Sequence, residues 1–232
     1  MKRPIPLALT ALVAFFSAFA ALAVSGGHDA HAHGLAVADH HHHSVAQSHR
    51  PITVKELQFR NDMRKLWEDH ITWTRLAIIS LIDESPDTNA TVTRLLQNQQ
   101  DIGDAIKPYY GDAAGSTLTQ LLREHILIAA DLIAAAKSGD QGRIDAEQAR
   151  WHQNAREIAA FLSHANPRHW SEDAITEMMF MHLQLTTDEV VARLQGNWDA
   201  DVAAYDRVHL HILGMADTLS TGIIKQFPRR FR

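Results

Sequence analysis

The stretch YDRVHLHILGMAD, residues 205–217, lies in the middle of a long helical pattern and decides how the rest of the chain is read. Asp206 and His209 stand three apart, on a stripe with Val202, Ile212, Leu213, Ala216 and Leu219. Apolar residues recurring at three and four positions specify an amphipathic helix. A carboxylate and an imidazole on its apolar side cost free energy unless something satisfies them. Every neighbouring segment has to be asked what could meet them.

Working outward, the same periodicity fills the chain from Thr53 onward. A capping box at Thr53-Val-Lys-Glu56 opens a first helix over about 54–83, whose stripe is Met63, Trp67, His70, Thr74, Ala77 and Leu81. A shorter second helix is expected over about 89–106, closing at Lys107-Pro108-Tyr-Tyr-Gly111. A third, about 113–137, carries Leu118, Leu121, Leu122, His125, Ala129, Leu132 and Ala136 on one side. A fourth, about 143–164, turns Trp151, Asn154, Ile158 and Leu162 inward and stops before Pro167. The fifth, capped by Ser171 and running over about 172–194, aligns Ile175, Met178, Met179, His182, Leu185, Thr186 and Glu189, and the last, capped by Asn197, runs over about 198–226. No segment alternates with the period of two that a strand requires. Helices of about 24 residues span roughly 36 Å and, joined by short loops, pack antiparallel. The fold class is all-α: an up-and-down bundle of four or more long antiparallel helices plus one short helix, over 53–228.

The first 52 residues lie outside that pattern. Lys2 and Arg3 precede an apolar run from Pro6 to Val24, with small residues at Ala21 and Ala23. That order reads as a signal peptide over 1–23, with a single-span membrane anchor as the competing reading. Either one makes the protein exported, periplasmic or extracellular. Residues 24–52 hold His28, His31, His33, His40, His41, His42, His43 and His49 among Gly, Ala, Asp and Ser. Such a composition cannot build a core, so disorder is expected, and dense imidazole reads as a metal-capture arm. A solvated linker or, for 40–43, an engineered tag are the bland alternatives.

Composition narrows the chemistry. The chain has 232 residues, a net charge of -5 and no cysteine, which removes disulfides, thiolate metal sites and cysteine nucleophiles. No basic face suggests a nucleic-acid partner. His70, His125, His182 and His209 each fall near mid-helix, as does Asn154, and antiparallel helices bring their midpoints to one height. Five inward polar groups, each costing about 1–3 kcal/mol if unsatisfied, are hard to keep in one core unless they share a partner. The expected metal ligands are therefore His70, His125, His182, Asp206, His209 and Glu189, with Asn154 and Arg75 supporting them from behind. Imidazole and carboxylate donors suit Zn, Cu, Fe or Mn. Too few inward carboxylates are present for a ferritin-like di-iron site. Met178, Met179 and Met181 beside His182 would favour Cu(I), although methionines at this spacing also simply fill cores. The alternative function is a metal-dependent or acid-base enzyme acting on a small molecule in the same pocket.

The runs LWEDHITWTR (66–75), DIGDAIKPYYGDAAG (101–115), LLREHILIAADLI (121–133), MHLQLTTDEVVARL (181–194) and AYDRVHLHILGMADTLSTGIIKQFP (204–228) resemble a bacterial family of small helical proteins without an established biochemical role. Its members often carry the labels glycosyltransferase or acetylglutamate kinase. Those activities need a parallel α/β sheet and a glycine-rich phosphate loop, and this chain has the pattern of neither. Asp199-Ala-Asp201 matches a DxD formally, but acidic residues are expected in a helix's first turn.

Overall fold

The computed structural model describes residues 51–232. The readings placed on residues 1–50, the signal peptide or anchor and most of the histidine arm, lie outside the described residues. Six helices follow one another: α1 (Val54–Asp83), α2 (Thr88–Tyr110), α3 (Asp112–Ser138), α4 (Gln141–Ala165), α5 (Glu172–Leu194) and α6 (Trp198–Gln226), closed by a 3-10 turn at Pro228–Phe231. Among the described residues there is no strand, and no helix is long and apolar enough to cross a membrane.

Local chemistry sets the boundaries. The Thr53 side chain accepts from the Glu56 N–H while the Glu56 carboxylate accepts from the Thr53 N–H, the capping box read in the sequence. Asp140, Ser171 and Asn197 cap α4, α5 and α6 in the same way, each accepting an N–H three residues on. Gly139 ends α3 in the left-handed region at φ 71°, where a side chain would be strained. The helix expected to be short runs 23 residues, as long as α5, and passes through Pro108. Pro108 sits in the last turn, where the ring removes one hydrogen bond but the Gly111 N–H still reaches the Lys107 carbonyl at 2.9 Å.

Consecutive helices pack side by side, α6 returns to α1, and α1 also touches α3 and α5 across the middle. One large core fills the centre, with Ile71, Ile102, Ile128, Ile158, Ile175, Leu183, Val208 and Ile212 fully buried. The α2–α3 crossing is tight because two glycines meet there. A Cβ on Gly103 would stand 2.6 Å from the Gly115 carbonyl, and one on Gly115 equally close to the Gly103 carbonyl. Backbone cannot yield as a flexible side chain can. Gly103→Ala is expected to destabilise by about 1–3 kcal/mol in urea denaturation, although alanine is the better helix former by about 1 kcal/mol.

Candidate functional site

Three histidines from α1, α3 and α5 do converge. His70, His125 and His182 are 2–3% exposed, and the His182 ring centroid lies 5.8 Å from His70 and 6.1 Å from His125. The fourth member comes from α6 and is His211, stacked 6.2 Å from His182. Trp67 stands 5.6 Å from His70 and Trp151 5.2 Å from His125, so a continuous row of aromatic rings crosses the bundle at mid-height.

His209 and Asp206 do not join it. Asp206 is exposed, and His209 faces Glu68 at 3.3 Å on the outer surface beside Tyr205. The stripe read from the sequence was set about one residue off. The buried face of α6 runs through Asp201, Ala204, Val208, Ile212, Met215 and Leu219, while Val202 is 53% exposed. His211 lies on the flank of that face. The signal was available in Ala204, Val208 and Met215, which share spacing with Ile212 and Leu219 and contain no charged residue.

Glu189 is also spoken for. Its Oε1 accepts from Arg75 at 2.7 Å, and Arg75 binds Asp201 through both terminal nitrogens at 2.8 and 3.2 Å. Arg193 extends the chain of charges from Asp201 to Asp83. Arg75 is thus the centre of a buried ion cluster joining α1, α5 and α6, and the Asp201 assigned only to a helix's first turn is one of its anchors. Burial pushes the Glu189 carboxyl up to about 7 against the pull of Arg75, and its Oε2 has no hydrogen-bond partner. Burial disfavours the Arg75 charge, but the bonds to Asp201 and Glu189 outweigh that and raise its pKa.

Asn154 stands directly behind His125. Its Nδ2 donates to the Leu121 carbonyl at 3.1 Å, which fixes the amide so that Oδ1 faces His125 Nδ1 at 2.8 Å. Oδ1 can only accept, so His125 carries its proton on Nδ1 and its lone pair on Nε2. That Nε2 is buried and has no partner, and neither has His182 Nδ1. His211 Nε2 faces the Met178 carbonyl at 3.0 Å, a contact only an N–H can make, which leaves its Nδ1 unprotonated. His70 is held oppositely. Gln99 is oriented by the Leu95 carbonyl, and its Nε2 meets His70 Nδ1 at 3.2 Å, so the His70 proton sits on Nε2.

All four imidazoles are neutral at pH 7. Burial lowers His70 to about 3, with the neighbouring His125 adding to the effect, and lowers His125 to about 4. Burial and the other three histidines hold His182 well below its ordinary value, and burial lowers His211. Neutral imidazole is the form that binds metal, so no proton need be displaced from His125, His182 or His211 first.

Geometry sets the remaining requirement. Two imidazoles on one tetrahedral zinc place their ring centroids about 5 Å apart. The three separations from His182, 5.8–6.2 Å, are about 1 Å wider. Accordingly, among the described residues no three His, Asp or Glu side chains are close enough to hold one ion as they stand. Comparison with known protein families, curated proteins and solved structures found no match.

Proposed function

We propose that the protein binds a divalent transition-metal ion in the core of its bundle, through His125, His182 and His211, with His70 as a fourth ring. The observation that carries this reading is the Leu121–Asn154–His125 relay. It locks one tautomer and leaves a buried lone pair without a partner, the arrangement in which a ligating histidine donates its other nitrogen to a supporting oxygen. An all-imidazole set favours Zn or Cu(II) over the harder ions. Binding requires His70, His125 and His211 each to draw about 1 Å closer to His182 and to converge on one another around the ion. The exported state and the role of the histidines at 28–49 as a capture arm belong to the same proposal. Such an arm would raise the local metal concentration beside the bundle. Metal-dependent catalysis is the weaker reading, because Glu189, the buried carboxyl two turns beyond His182 on α5, is bound to Arg75.

The test is titration of the full chain, with the eight arm histidines replaced by alanine and no affinity tag, against Zn(II) in competition with a chelator. Asn154→Leu is expected to weaken binding 10- to 100-fold, the usual cost of losing such a support. Unchanged affinity in Asn154→Leu would remove the relay from the site. Because Trp67 and Trp151 flank the layer, Cu(II) should also quench their emission at one equivalent.

A further inference from the structure

The end of the bundle that holds both termini of the described chain carries a second surface. The Thr53 hydroxyl donates to the Phe231 carbonyl at 2.5 Å, tying the start of α1 to the 3-10 turn. Phe59 packs on Tyr109 and Phe231, and Tyr110 on Trp170 and Phe227, so the α2–α3 turn and the α4–α5 loop meet at the same end. Around this aromatic plug the surface is apolar and basic together. Ile52, Val54 and Leu57 are 64%, 82% and 53% exposed, which is unusual for three large aliphatics on one turn. Lys55, Lys225, Arg229, Arg230 and Arg232 are exposed beside them, and Arg168 and His169 line a cleft shared with Lys225. The acids toward this end are Asp62, Asp104, Asp112, Glu172, Asp173 and Glu177, with Asp217 lining the same cleft and paired to Arg64; Glu56 serves the capping box. The opposite end turns Asp83, Glu84, Asp87, Asp140 and Asp199 to its loops. Within a chain of net charge -5, Lys55, Lys225, Arg229, Arg230 and Arg232 thus gather five cations around the joined start of α1 and the 3-10 turn.

We infer that this pole docks on an anionic lipid surface. Exposed aliphatics at the level of a basic cluster match the interface of a bilayer, where the side chains enter the headgroup boundary and the cations meet lipid phosphate. The direction of the chain agrees: the residues that precede Pro51 enter at this pole and include the apolar run from Pro6 to Val24. Docking here would leave the histidine layer at mid-height and the acidic pole facing away from the membrane.

The absence of cysteine allows a clean test on the full chain. Leu57→Cys and, at the far pole, Asp140→Cys each carry an environment-sensitive fluorophore and are mixed with phosphatidylglycerol or phosphatidylcholine vesicles. The expected result is a blue shift at Leu57→Cys with phosphatidylglycerol only, reversed by salt, and none at Asp140→Cys. Replacing Arg229, Arg230 and Arg232 by serine should weaken it about a hundredfold. Vesicle capture without a shift at Leu57→Cys, an equal shift with phosphatidylcholine, or an equal shift at both poles would overturn the inference. So would the same shift with heparin and no vesicles, which would assign the pole to a soluble polyanion.

Discussion

Lowering the pH from 6.5 to 4 should strip the bundle of its stability. His70 at about 3 and His125 at about 4, with His182 also well below its ordinary value, stay neutral while folded and take up protons on unfolding. For groups depressed in the folded state, the stabilisation is present above the unfolded value near 6.5 and is lost as the pH falls toward the folded values. Glu189 has the opposite sign. Raised to about 7, it favours the folded state below its unfolded value near 4.5 and loses that contribution as the pH rises through 7. Between about 4.5 and 6 the unfolded chain therefore binds a net two protons more, worth about 3 kcal/mol per pH unit. Below 4.5 Glu189 protonates in both states and the slope steepens to about 4 kcal/mol per unit. From pH 6.5 to 4 the loss amounts to about 6 kcal/mol, so a domain in the lower part of the ordinary range of about 5–15 kcal/mol would be largely unfolded near pH 4. Urea midpoints at pH 7, 6 and 5 check this. A flat profile over that range would mean the histidine layer is open to water.

Arg75→Met should be the most damaging single substitution outside the apolar core. Glu189 and Asp201 are 0% and 2% exposed, and both rely on Arg75, although Asp201 retains Arg193 at 3.2 Å. Removing one partner of a buried pair leaves an uncompensated charge and costs about 3–5 kcal/mol. The loss should shrink toward pH 5, where the Glu189 carboxyl, raised to about 7 by burial, takes up its proton, and should be partly restored by adding Glu189→Gln. A loss below about 1 kcal/mol at pH 7 would show that water already screens the cluster.

Much of the fold was legible because its signals are local. The Thr53–Glu56 box, the caps at Ser171 and Asn197 and the 3-4 apolar spacing each act within a few residues, and all are where the sequence placed them. His70, His125 and His182 could be placed together by the same means, since mid-helix positions on antiparallel helices arrive at one height. The rotation of α6 was not local. One residue of helical twist separates the His209 stripe from the buried Val208 face, and what fixes it is packing of Ala204, Val208 and Met215 against other helices. The pairing of Asp201 with Arg75, 126 residues away, likewise depends on how α1, α5 and α6 meet. First-turn acidity explained Asp199 and Asp201 equally well, yet only Asp201 is buried. Asn154 was recognised as a support, but its role as the lock on one His125 tautomer needed the Leu121 carbonyl behind it.

The central claim is that a metal occupies the imidazole layer of the core. Elemental analysis combined with X-ray absorption on the full chain, its eight arm histidines replaced by alanine, tests it most directly. One Zn or Cu per chain with three to four nitrogen scatterers at about 2.0 Å, lost in His125→Ala while the helical signal remains, is the predicted result. Metal retained only when the arm histidines are present, or retained unchanged in His125→Ala, would contradict it.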